Sequence, residues 1–149
     1  MKPEKAKKFM AIAREVAQLS KDPSTKVGAV AINDTGAILS VGYNGFPRGV
    51  NDDPDRYANR EIKLSLISHA EQNLVAQAAY VGVSLSGCTA VIYGMYPCSS
   101  CAKSLIQAGI KRIITQLPRE NSYWTEDAKW SKILFDETLV EIIYVEDFD

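Results

Sequence analysis

Between about Lys5 and Leu19 the residues Phe9, Ile12, Ala13, Val16 and Leu19 return every three or four positions, with charged residues between them. That rhythm predicts an amphipathic helix. SKDPSTK breaks it with a proline and capping residues. VGAVAIN and AILSVGYN then read as two strands joined by NDTG as a hairpin turn. GFPRGVNDDPDRYANRE is a long polar connection rich in glycine, proline and aspartate, of the length that is often functional inside a compact domain. REIKLSLI reads as a short helical segment, and a helix runs from about His69 to Tyr80. The apolar run CTAVIYG, bounded by glycines, suits a buried strand. CSSCAKSLIQAG reads as a helix ending at Gly109, IKRIITQ as a strand, Glu126 to Phe135 as a helix and LVEIIYV as a last strand. The order α-β-β-α-β-α-β-α-β, without repeats or linkers, predicts a three-layer α/β/α domain spanning 1–149 around a mixed sheet. The hairpin makes at least one strand pair antiparallel.

Composition narrows the setting. The chain has 149 residues, 46% hydrophobic and 23% charged, enough to bury a core without disulfide staples. Net charge is −1, whereas a protein that grips a nucleic-acid backbone usually carries a basic excess. The expectation is a small-molecule substrate and no nucleic-acid partner. The opening MKPEKAKKFMAIAREVAQL is charged at helical intervals, unlike a secretory h-region or a membrane span. Cys88, Cys98 and Cys101 are an odd set for a disulfide framework. A reducing cytoplasm without a membrane partner is therefore expected, where clustered cysteines bind metal or react.

Chemistry concentrates in HAE, at His69 to Glu71, and PCSSC, at Pro97 to Cys101. Cys98 and Cys101 are three apart, so both sulfurs can face one point near a helix start. The amide dipoles there favour thiolate, the form that binds metal. A βα unit between the two motifs can bring His69 beside them. One imidazole and two thiolates suit a zinc ion with an open fourth position for water, and Glu71 is then placed to shuttle protons. Other readings coexist. A C-x-x-C can be a redox pair or half of a structural zinc site, for which Cys88 is the further soft ligand, although its place at the start of an apolar strand suits a buried thiol. Ser68 and Glu71 also match S-x-x-E, so Glu71 can be read as a helix cap. The joint pattern H-x-E…P-C-x-x-C is the signature of zinc-dependent nucleobase deaminases.

DPSTKVGAV, GYNGFPRG, DDPDRYANREIKL, HAEQN and PCSSCAKSLIQAGI together resemble the deoxycytidylate (dCMP) deaminases of the zinc-dependent cytidine/deoxycytidylate deaminase family. The resemblance runs from about Lys21 to Gln116 and is loose beyond. It implies a cytidine-deaminase-like fold with a five-stranded sheet, one catalytic zinc on His69, Cys98 and Cys101, and hydrolysis of dCMP to dUMP and ammonia for thymidylate synthesis. Glu71 would protonate N3 of the cytosine and then the leaving amine. Ala70 would hold the pyrimidine, Asn44 the sugar or base, and Thr25, Lys26 and Val27 would line the pocket. Lys26 and Tyr123 are the candidates for the 5′-phosphate. The resemblance also implies a homohexamer activated by dCTP, with magnesium on the triphosphate, and inhibited by dTTP. Gly42, Asn44, Gly45, Phe46, Arg48 and Gly49 belong to that effector region.

Two departures stand out. A single histidine argues against the second zinc found in some relatives. Tyr80 replaces an arginine linked to effector response, which leaves the allosteric inference weaker than the catalytic one. Deaminases of tRNA adenosine, guanine, cytidine or a riboflavin precursor share the zinc signature but not GYNGFPRG with DDPDRYANREIKL. A non-catalytic zinc module is the reading from outside the enzymes, and Glu71 is what it would have lost.

Overall fold

The structure is a computed structural model that describes residues 1–118, 123–146 and 148. Helix α1 (Pro3–Ala17) opens on a proline, with Glu4 in its first turn and Arg14 in its last, the charge order that the helix dipole favours. Its buried stripe is Ala6, Met10, Ala13 and Ala17. The expected stripe is thus rotated: only Ala13 of the residues proposed is fully buried, while Ile12 and Leu19 are exposed. The cause is a close approach of backbone to backbone. A Cβ on Gly28 would lie 2.1 Å from the carbonyl oxygen of Ala13, so α1 turns its smallest side chains to the sheet.

Strands β1 (Gly28–Ile32) and β2 (Ile38–Tyr43) form the expected antiparallel hairpin. Oδ1 of Asn33 accepts hydrogen bonds from the Thr35 and Ala37 amides and closes the turn. The long polar connection is not all loop. It contains helix α2 (Pro54–Ala58), started by Asp53 and Pro54 and anchored by Tyr57, whose ring stacks on Phe46 at 4.4 Å. Proline at the first helical position carries the right φ already, a local signal that the polar composition masks. Helix α3 (Arg60–Leu66) follows, capped by Asn59. Then come α4 (Ala70–Val81), β3 (Thr89–Tyr93), α5 (Ser99–Gln107), β4 (Arg112–Thr115), α6 (Tyr123–Glu137) and β5 (Glu141–Tyr144).

The sheet has five strands in the order β2-β1-β3-β4-β5. β1 is antiparallel to β2 and β3, while β3, β4 and β5 are parallel, so the predicted mixed sheet is observed. Strand alternation splits the core. Val30, Ile32, Val91 and Ile114 meet α1 on one face. Ala29, Ala31, Ala90, Ile92 and Ile113 meet Leu74 of α4, Leu105 of α5 and Phe135 of α6 on the other. Each large side chain buried this way contributes roughly 1.5–3 kcal/mol.

The register decides where chemistry collects. Gly28 at the start of β1 pairs with Tyr43 at the end of β2 and Tyr93 at the end of β3. One edge therefore gathers the chain entering β1, the chain leaving β2 and β3, and the starts of α4 and α5. Such strand ends are where α/β sheets bind ligands.

Candidate active site

His69 is the N-cap of α4 and Cys98 the N-cap of α5. Nδ1 of His69 lies 3.3 Å from Sγ of Cys101 and 3.5 Å from Sγ of Cys98. Zinc–nitrogen bonds of about 2.0–2.1 Å and zinc–sulfur bonds of about 2.3 Å set at tetrahedral angles imply ligand separations of roughly 3.5–3.8 Å. The donor set and its spacing fit zinc, with three protein ligands. These three residues are the His/Cys/Asp/Glu group able to hold a metal among the described residues. Cys88 stands apart, buried in the apolar cluster with Leu85, Ala90 and Ile110, as expected of a structural thiol.

Charge in the cluster is shared. The hydrogen bond with the Cys101 side chain, reinforced by His69 and the Cys101 amide, draws the Cys98 thiol down to about 4 against its burial. The same bond and burial push Cys101 up. The Cys98 sulfur holds the imidazole of His69 above its ordinary value.

Glu71 sits in the first turn of α4, 4% exposed. Burial, with the Cys98 sulfur acting in the same direction, raises its carboxyl to about 7, while its own amide and His69 oppose the shift. A carboxyl poised there can both take and give a proton near neutrality. The capping alternative for Glu71 is not what is observed. Gln72, one residue later, caps α4 by accepting from the His69 amide at 2.9 Å, because the N-cap falls on His69 rather than Ser68. Ser68 instead exchanges two backbone hydrogen bonds with Gly45, which ties the chain before His69 to the end of β2.

The cleft over this cluster is lined by Thr25, Val27, Asn44, His69, Ala70, Glu71 and Cys98, all among the residues that the sequence singled out. Asn44 is heavily committed. Its Oδ1 accepts from the Val27 amide at 2.9 Å, and its Nδ2 donates to the Thr25 carbonyl at 2.9 Å and to Asp22 at 3.3 Å. Lys26 does not line the cleft, and its ammonium donates to the Ser20 carbonyl. The side chain of Tyr123 lies outside the described residues.

The cleft also holds residues that sequence reasoning missed, chiefly Asp22, Arg60, Lys63 and Tyr96. Lys63 donates to Asp22 at 2.9 Å and to the Ser24 hydroxyl at 2.8 Å. Asp22 is 1% exposed. Burial alone would raise its carboxyl, but Lys63, the Ser24 and Thr25 amides and the Ser24 hydroxyl together hold it below the usual range. Arg60, exposed at the rim, makes no hydrogen bond or ion pair with the described residues and carries the cleft's uncompensated charge. Its signal was its place in REIKL, where α3 sets residues three apart on one side.

The proposed effector residues line a second cleft of about 370 Å³, formed by Gly42, Gly45, Phe46 and Arg48 with Asn73 and Gln77 of α4. Gly42 also packs: a Cβ there would lie 2.3 Å from the Ala70 carbonyl oxygen. Arg48 donates to Oε1 of Gln77 and lies 4.2 Å above the Tyr80 ring. Gly49 is left-handed with open space around it, and Asn44 lies in the first cleft rather than this one.

Comparison with known proteins agrees with this geometry. Residues 3–117 match the cytidine and deoxycytidylate deaminase zinc-binding region. A relative from Aliivibrio fischeri, described as an uncharacterized deaminase in the luxG 3′ region, is 39% identical over 142 residues, covering 94% of this chain and 92% of its own. Human deoxycytidylate deaminase is 36% identical over 133 residues, covering 86% and 72%. The dCMP deaminase of cyanophage S-TIM5, solved in complex with dCMP and dUMP, superposes with a TM-score of 0.72 at 26% identity, covering 97% and 98%. With the H-A-E and P-C-S-S-C ligands converged at two helix starts, the chain belongs to the cytidine and deoxycytidylate deaminase zinc-binding family.

Proposed function

We propose that this chain hydrolyses dCMP to dUMP and ammonia, the reaction that supplies a thymidylate precursor. One observation carries the reading: a buried carboxyl, Glu71, beside a His69/Cys98/Cys101 triad, in a cleft whose rim bears one uncompensated cation, Arg60. The relatives named for deoxycytidylate deamination, one of them solved with dCMP and dUMP, support the choice of substrate.

His69, Cys98 and Cys101 would hold the zinc, which when bound would supply Lewis-acid activation of water. The chain's own residues do the rest. Glu71 takes a proton from the attacking water and passes it to N3 of the pyrimidine. It then takes the proton left on that oxygen and passes it to the departing amine, which its raised pKa allows at neutral pH. The Ala70 backbone at the start of α4 orients the ring, and Thr25, Val27 and Tyr96 close around it. Arg60 receives the 5′-phosphate as a charge-assisted partner.

The test is ammonia release from dCMP, deoxycytidine, CMP and dCTP in parallel, with zinc content measured. Fast turnover of dCMP alone is expected, and Glu71→Gln should keep its zinc while losing turnover. A Glu71→Gln enzyme that deaminates dCMP near the wild-type rate would falsify the proton-shuttle role.

The second cleft supports a further part of the proposal, taken from the resemblance. A homohexamer binds dCTP there as activator, with magnesium on the triphosphate, and dTTP opposes it. The cleft shares the Gly45–Ser68 bridge with the short segment that leads into His69, a direct mechanical path between the two. Two free thiols as ligands suit a reducing cytoplasmic setting. No helix among the described residues is long and apolar enough to cross a membrane.

A further inference from the structure

Helix α6 lies beyond residues 3–117 that match the family, yet it grips the metal-ligand loop. Asp127 and Ser131 are one turn apart on α6 and reach the two residues that flank Cys98. The Asp127 carboxylate accepts from the Ser99 amide at 2.7 Å and from the Ser99 hydroxyl at 2.7 Å. Ser131, fully buried, donates its hydroxyl to the Pro97 carbonyl at 2.8 Å. Phe135, within the apolar cluster, ties the same helix to the core separately from these two contacts.

The geometry points to Asp127 and Ser131 as positioning residues that fix Cys98 for its metal, a role that rests on reading His69, Cys98 and Cys101 as the zinc site. Pro97 has no amide to bond, and the Ser99 amide is one of the orphan donors of the first turn of α5. Through α6, the backbone is held on both sides of Cys98, at the Pro97 carbonyl and at the Ser99 amide. The carboxylate adds short, charge-assisted bonds at the helix end where Cys98 is the N-cap. With the Cys101 amide pointing to the Cys98 sulfur at 3.4 Å, both the backbone and the side chain of this ligand are constrained. Partners one step behind a metal ligand typically govern affinity or activity by about 10–100-fold.

The test measures zinc release to a chromophoric chelator, and the absorption bands of the cobalt-substituted protein, for Asp127→Ala, Asp127→Asn and Ser131→Ala. Zinc should leave Asp127→Ala about 10–100-fold faster than wild type, with cobalt–thiolate bands shifted or broadened. Asp127→Asn, which keeps one acceptor, should fall between. Ser131→Ala, a smaller change that serves if Asp127→Ala fails to fold, should move in the same direction. Met10→Ala is the control, a buried residue of α1 on the other face of the sheet: it should lower Tm while leaving release and spectrum unchanged. Unchanged release and spectrum in Asp127→Ala and Ser131→Ala, with wild type binding one zinc per chain, overturns the clamp alone. A wild-type protein that binds neither zinc nor cobalt overturns the metal-site reading and the clamp with it.

Discussion

Gly42→Ala isolates the mechanical link between the sheet and the catalytic helix. A Cβ at Gly42 would sit 2.3 Å from the Ala70 carbonyl oxygen and 2.4 Å from the Leu74 amide nitrogen. Both are backbone atoms of α4, so no side chain can swing away, and real Cβ contacts are essentially never below 3.0 Å. Helix and strand must part by at least about 0.7 Å, an overpacking that costs about 1–3 kcal/mol. For a chain of this size that is a Tm loss of about 2–12 °C. The displaced turn carries Ala70 and Glu71 and is capped by His69, and a misplacement near 1 Å can cost about 100-fold in rate. Gly28→Ala provides the matched comparison. Its Cβ would meet the Ala13 carbonyl at 2.1 Å and the Ala17 amide at 2.6 Å, so the strain falls on α1, on the opposite face. Thermal melts of the zinc-loaded proteins and kcat for dCMP should show both variants destabilised but only Gly42→Ala strongly impaired, by about 10–100-fold. The reasoning is refuted if Gly42→Ala matches wild type in Tm and kcat, or if Gly28→Ala loses as much activity.

Other outcomes follow from the same geometry. Arg60→Ala should raise KM for dCMP by about 10–100-fold, the loss of a charged hydrogen bond worth about 1.5–3 kcal/mol, and leave weak deoxycytidine turnover unchanged. An equal effect on both substrates would remove the phosphate from Arg60. Asp22 is held below its usual pKa, so its ionised form stabilises the fold above about 3.8, and that contribution is lost as pH falls through the lower, folded value. In denaturant titrations Asp22→Asn should cost about 1.5–3 kcal/mol at pH 7, with the gap to wild type closing in acid. A gap that stays constant as the pH falls well below the ordinary carboxylate value of 3.8 would point to lost packing rather than lost charge. Adding dCTP with magnesium should change the saturation curve for dCMP, and dTTP should oppose that change. Saturation curves indifferent to both would reduce the Arg48 cleft to a structural groove.

The His69/Cys98/Cys101 group and Glu71 stood out in the sequence because their signal is local and chemical: H-x-E and P-C-x-x-C each place their groups within one helical turn. The strands and long helices were legible for a similar reason, since apolar periodicity is a property of short windows. What needed the tertiary structure was anything that depends on which face meets which neighbour. The α1 stripe turned towards its alanines because Gly28 admits backbone contact, a fact of β1 rather than of α1. Lys26 read as a phosphate ligand because it stands in DPSTK, but its ammonium is taken by Ser20, and the free charge belongs to Arg60, on a helix 34 residues further along. Gln72 rather than Glu71 caps α4 because a one-residue shift of the N-cap reassigns every role in the first turn. Asp127 and Ser131 carried no recognisable pattern, since their partners lie about 30 residues back, at the start of the neighbouring helix α5. Motif chemistry is written in neighbouring residues and survives in one dimension. The cation at the cleft rim and the helix that bonds to the backbone beside Cys98 depend on long-range packing, which only the folded chain supplies.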